Sequence, residues 1–129
     1  MKRILFVIML VALTIGAVSA QQKEASITVT ESETHDFGDI KEADGPVSHT
    51  FTVINNGELP LVISRVVASC GCTTPNWTKE PIAPGKTGDI KVTYDPTGRP
   101  NQFAKTVNVY SNGKTGSYVL TIRGNVIPK

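Results

Sequence analysis

Apolar residues recurring at helical spacing are missing from this sequence, and their absence removes an α-helical core from consideration. There is no low-complexity tract and no linker, so one domain is expected. Cysteine is scarce: Cys70 and Cys72 are the only two. A chain of this size buries roughly two-thirds of its unfolded surface, so its core does not need metals or many disulfides. Long apolar runs are absent except at the start. There, Lys2 and Arg3 precede an apolar stretch from Ile4 to Ile15 that is interrupted only by Thr14. This run is too short for a permanent anchor of about 20 residues. It leads through Gly16 and Ala17 to Val18-Ser19-Ala20, the small-residue ending of an export signal. Residues 1–20 are therefore expected to be a signal peptide cleaved after Ala20, leaving residues 21–129 as the mature domain, periplasmic or secreted. Gln21, rather than cysteine, follows the site, so lipid attachment is not indicated.

A surplus of charge is also lacking. Of thirteen basic residues, Lys2 and Arg3 belong to the signal, which leaves eleven of each sign in the mature chain. Attraction to nucleic acid or to anionic lipid needs a basic excess, so neither is an expected partner. The charges are unevenly spread. Residues 23–44 hold seven acids against Lys23 and Lys41, and residues 86–129 hold seven bases against Asp89 and Asp95. Solvated faces account for most of this, and an acidic first strand beside a basic last one would gain slightly from cross-strand attraction.

Catalytic signatures are missing as well. Gly85-Lys86-Thr87 and Gly113-Lys114-Thr115 end like phosphate-binding loops, but Glu80 and Asn108 stand where the earlier glycine is required. Both read as turns. No G-x-S-x-G, H-E-x-x-H or H-x-E pattern occurs. His35 and His49 share parity with Phe37 and Phe51, which suits histidines at a strand margin better than a general base. Asn76-Trp77-Thr78 matches a glycosylation acceptor, a signal that depends on the host, and Trp77 reads as packing.

What is present is alternation of period two. Val47, His49, Phe51 and Val53 alternate with Ser48, Thr50 and Thr52, and Asn55-Asn56-Gly57 ends the run. Ile90, Val92 and Tyr94 repeat the pattern between Ala83-Pro84-Gly85 and Asp95-Pro96-Thr97-Gly98. Val107 and Val109, then Tyr118, Leu120 and Ile122, complete it around Ser111-Asn112-Gly113. Weaker strands are expected at residues 27–30 and 35–37. Between Leu61 and Cys70 the inward parity changes near Arg65, which predicts a bulge there. The expected fold is an all-β, immunoglobulin-like antiparallel sandwich of about seven strands.

Several strings together carry a family resemblance: Phe37-Gly38-Asp39-Ile40, His49-Thr50-Phe51, Asn55-Asn56-Gly57, Pro60-Leu61, Ser69-Cys70-Gly71-Cys72-Thr73, Pro81-Ile82 with Pro84-Gly85, Val92-Thr93-Tyr94 and Ser111-Asn112. The chain resembles a bacterial family catalogued as domain of unknown function 1573. The resemblance implies a seven-stranded immunoglobulin-like sandwich similar to the domains of hydin, of ASPM and SPD-2, and of major sperm protein. Those are binding and assembly modules, an analogy of fold alone.

Cys70-Gly71-Cys72 is the one constellation with competing chemical readings. In a fully extended strand the two side chains stand nearly 7 Å apart, at the limit of disulfide reach. A positive φ at Gly71 is expected to fold them together. The outcomes left open are a small disulfide, unbonded or separately paired thiols, and a site for thiol exchange or for a soft ion. Two thiolates cannot complete a tetrahedral zinc site, so Cu(I) is the metal they would suit. The expected function is an exported, non-enzymatic binding or scaffolding module without a cofactor, meeting another envelope or secreted protein through loops or an open sheet edge. The alternative is a small thiol-redox or Cu(I)-binding protein centred on Cys70 and Cys72.

Overall fold

A computed structural model of the chain describes residues 23–129; the expected signal segment and its expected cleavage after Ala20 lie outside the described residues. Eight strands follow in order: β1 (Ile27–Val29), β2 (Thr34–Lys41), β3 (Val47–Asn55), β4 (Ile63–Ala68), β5 (Thr73–Trp77), β6 (Thr87–Tyr94), β7 (Asn101–Ser111) and β8 (Ser117–Ile127). Among the described residues the only helical element is a 3-10 turn at Glu42–Asp44, and no helix is long and apolar enough to cross a membrane. The strands form two four-stranded sheets, ordered β1-β3-β6-β5 and β2-β8-β7-β4. Alternation explains the layering. Phe51, Val53, Ile90, Val92 and Tyr94 from the first sheet meet Val107, Val109, Leu120, Ile122 and Val126 from the second, all fully or nearly fully buried.

The expected immunoglobulin-like sandwich of about seven strands is borne out, and two features add to it. Among the described residues there are eight strands, because the residues after the Cys-Gly-Cys turn form β5, whose Pro75 and Asn76 conceal it from any β-propensity argument. The sandwich is also not wholly antiparallel, since β2 runs parallel to β8. The chain pairs with β3 as far as Thr30, whose N–H donates to the Thr52 carbonyl, and with β8 from Glu33, whose carbonyl accepts from Thr121. It thus changes sheets across Glu31 and Ser32. The acidic segment does lie beside the basic one, and Asp36 pairs with Arg123 at 3.2 Å. The bulge near Arg65 is present as a register shift between Ile63 and Arg65, which lets Leu61, Ile63 and Val66 all face inward.

One polar side chain sits inside this core. Asn55 is fully buried at the end of β3. Its Nδ2 donates to the carbonyls of Leu59 at 2.7 Å and Ile82 at 2.9 Å, and its Oδ1 accepts from the N–H groups of Ser26 at 3.2 Å and Gly57 at 2.9 Å. All four side-chain positions are satisfied, which is the condition for burying an amide. Asn55→Ala is expected to lower the unfolding free energy by about 3 kcal/mol in denaturant titration, since buried carbonyls and N–H groups lose their partners. Asn55→Asp should cost a similar amount, because a carboxylate cannot donate to Leu59 and Ile82. Ser48→Ala, which removes an exposed bond to Thr93, should change it by less than about 0.5 kcal/mol.

Candidate functional site

The Cys70-Gly71-Cys72 turn joins β4, an edge of one sheet, to β5, an edge of the other. It is a β-turn: the Thr73 N–H donates to the Cys70 carbonyl at 3.2 Å, and the Asp95 N–H holds the Cys72 carbonyl at 2.9 Å. The Cα atoms of Cys70 and Cys72 are 5.3 Å apart, within disulfide reach, and the two sulfurs meet. Gly71 does not work as the sequence suggested. It is not among the glycines of positive φ, and a Cβ placed on it would meet nothing within 4 Å. The turn therefore closes without a left-handed backbone at Gly71, which faces open space.

The two sulfurs occupy different surroundings. Cys72 is 3% exposed and belongs to the core, with its Sγ 3.6 Å from the Thr73 hydroxyl, whereas Cys70 is only partly buried at the core's margin. The Cys72 backbone N–H points at Cys70 Sγ, 3.0 Å away. Among the described residues no group of three or more His, Cys, Asp or Glu side chains is placed to hold a metal ion. Cys70 and Cys72 thus stand as a two-donor pair with no third ligand beside them.

The remaining sequence candidates fall into structural places. Gly85-Lys86-Thr87 is a turn into β6, where Gly85 donates to the Asn55 carbonyl and Lys86 to that of Ala83. Gly113-Lys114-Thr115 is the turn between β7 and β8, tied to Ala25 through the Lys114 N–H. Neither opens a helix, so neither can cradle phosphate as such a loop does. Trp77 ends β5 against the core with Lys79 over its ring. His35 and His49 lie on different sheets, yet their rings stack at 3.6 Å and 6°. Phe37 and Phe51 cap them edge-on at 4.6 and 4.7 Å.

Two surfaces were not legible beforehand. The outward residues of β1-β3-β6-β5 are almost all hydroxyl, amide or charged: Ser48, Thr50, Thr52, Thr74, Asn76, Asp89, Lys91 and Thr93. The outer face of β2-β8-β7-β4 is graded instead. Register aligns Val67 with Asn108 and Val119, and Arg65 with Tyr110, whose ring lies 4.2 Å beneath the guanidinium. Val67 and Val119 are 43% and 48% exposed. At the far end of the same face a trough of about 570 Å³ lies between Asp36, Asp39, Gln102, Arg123 and Asn125.

The free edges, by contrast, are obstructed. β1 is three residues long, β2 is broken between Asp36 and Asp39 around Gly38 (φ 67°), and β4 carries its own register shift. On β5, the bonds of Cys72 and Thr78 to β6 leave the backbone of Pro75 and Trp77 turned to the free edge, so a proline stands where an incoming strand needs an N–H.

The family model described as "Protein of unknown function (DUF1573)" matches residues 18–126. The chain belongs to this family. No curated protein matches it in sequence. Among solved structures it is similar to a protein of unknown function from Porphyromonas gingivalis W83, with a TM-score of 0.69 and 18% identity over 84% of this chain and 50% of that one. It spans about half of that protein's length. It is also similar to the PapD-like domain 7 of human CEP192, with a TM-score of 0.66 and 7% identity over 86% of this chain and 92% of that one. A third similar structure is the YadV chaperone, with a TM-score of 0.54 and 15% identity over 81% of this chain and 52% of that one. At these identities the likeness establishes an immunoglobulin-like, PapD-like fold for this DUF1573 domain.

Burial, and then the neighbouring His35, lower the His49 pKa from its ordinary 6.5, with Glu31 opposing. The unfolded chain therefore takes up this proton more readily than the folded one, and the stability involved is present above pH 6.5 and lost as pH falls through the folded pKa. The melting temperature is expected to decline as pH falls below 6.5, and His49→Phe, which keeps a ring on His35, should flatten that decline.

Proposed function

We propose that this domain is an exported, non-enzymatic binding or scaffolding module of the cell envelope, periplasmic or secreted, that engages another protein through the outer face of β2-β8-β7-β4. The observation that carries this reading is the contrast between the two outer faces. One is a solvated surface of threonine, serine and charge, and the other exposes Val67 and Val119 on the strands either side of Asn108, with Tyr110 half-exposed on the strand between them. Exposed apolar side chains grouped on one face with a polar margin are the usual mark of a protein contact. Arg65 over Tyr110 adds a cation at the rim, so the partner surface that fits is apolar with a carboxylate beside it. The obstructed edges speak against strand addition, one of the two routes, loops or an open sheet edge, considered from sequence. Export rests on the N-terminal pattern of Lys2, Arg3, the apolar run and Ala20, and the PapD-like fold supports an interaction role by analogy.

Affinity capture from the native envelope tests this function. Val67→Asp combined with Val119→Asp should weaken capture roughly tenfold or more while circular dichroism stays unchanged. Thr50→Asp on the opposite face, and the double change Cys70→Ser with Cys72→Ser, should leave capture intact. Loss of capture in the folded cysteine double variant would move the contact to the turn.

A further inference from the structure

We propose that Cys70 and Cys72 form a thiol–disulfide exchange site in which Cys70 meets the external partner and Cys72 resolves the intermediate. The site is separate from the docking face, and its success or failure is independent of that reading.

Three observations assign the roles. The first is access. Cys70 lies at the core's margin between exposed Ser69 and Gly71, and no side chain occupies the space over Gly71, whereas Cys72 is 3% exposed. An external sulfur reaches Cys70 and not Cys72. The second is electrostatic: the Cys72 N–H aimed at Cys70 Sγ from 3.0 Å stabilises negative charge on that sulfur, which favours the nucleophilic thiolate. Cys72 has only a hydroxyl at 3.6 Å and apolar surroundings, which favour its neutral thiol until it is needed. The third is the size of the ring. A bond across a single residue removes little entropy from the unfolded chain, so a structural staple is a poor account of a pair held 5.3 Å apart in a hydrogen-bonded turn. The same short ring suits a bond that is made and broken.

The chemistry balances with a low-molecular-weight or protein disulfide as oxidant. The Cys70 thiolate attacks one sulfur of R–S–S–R, forming a Cys70–S–S–R mixed disulfide and expelling RS⁻. Cys72 then gives its proton to solvent and attacks Cys70 Sγ, closing the internal bond and expelling the second RS⁻. The two protein thiols lose two electrons, and the external disulfide gains them as two thiols. In reverse, an external thiolate attacks Cys70 Sγ and Cys72 departs, with direction set by the relative potentials.

Reduced protein and its Cys70→Ser and Cys72→Ser variants, treated with glutathione disulfide and followed by intact mass, test the assignment. The expected result is a persistent single glutathione adduct on Cys72→Ser and formation at least roughly tenfold slower on Cys70→Ser. The unaltered protein should pass to a form two hydrogen atoms lighter with no lasting adduct. Equal rates in the two variants, adducts persisting on both cysteines of the unaltered protein, or no reaction in folded protein would each overturn the proposal. If a variant fails to fold, limiting iodoacetamide on the reduced unaltered protein decides the matter. Peptide mapping should find Cys70 modified first, and equal or reversed labelling contradicts the assignment.

Discussion

The amide of Asn55 is where the segment before β1, the loop after β3 and the approach to β6 are tied together. Its four side-chain bonds reach Ser26 beside β1, Gly57 and Leu59 in the loop after β3, and Ile82 before β6. Its own N–H and carbonyl hold Lys86 and Gly85. The loop must pass so close to Glu24–Ser26 that a Cβ on Gly57 would overlap their backbone. Ala25, fixed by that approach, bridges to Gly113 between β7 and β8. One satisfied amide thus sets where β1 starts, where Leu61 enters the core and how the two sheets close at this end. A buried amide is tolerated only when fully bonded, so the arrangement specifies a single geometry rather than a family of packings.

That frame determines what the surface offers. Because both sheets are seated firmly and every edge is shortened, bulged or interrupted by proline, the backbone is withdrawn as a means of recognition. Side chains on the outer faces remain. The face of β2-β8-β7-β4 exposes Val67 and Val119 on either side of Asn108, and the Cys-Gly-Cys turn lies beyond its margin, between β4 and β5. The proposed contact face and the proposed thiol site therefore occupy different parts of the domain. With eleven charges of each sign between residues 21 and 129, long-range steering is weak and contact complementarity must supply the selectivity.

Strands with one buried face were readable from residue order, as β3, β6, β7 and β8 show, because inward Val, Ile and Phe alternate with outward Thr, Ser and Asn. Even the bulge of β4 left a trace in the changed parity around Arg65. Properties arising from pairing between distant strands left none. β5 was hidden by Pro75, which is tolerated only because its missing N–H faces the free edge. The parallel pairing of β2 follows from a change of sheet across two residues that local pattern does not encode. Asn55 looked like the first residue of an Asn-Asn-Gly turn, and its partners at Ser26 and Ile82 lie too far away in sequence to suggest burial. Val67 and Val119 lie on separate strands, and only the register through Asn108 places them on one face at the same level. For the cysteines, residue order gave the spacing, while the difference between buried Cys72 and accessible Cys70 required the fold.

Site-specific photo-crosslinking in the native envelope tests the claimed division between the two faces most directly. A photoreactive residue at position 119 should yield a discrete crosslinked protein, and one at position 50, on the hydroxyl-rich face, should yield none. Crosslinks from position 50 with none from position 119 would contradict the account.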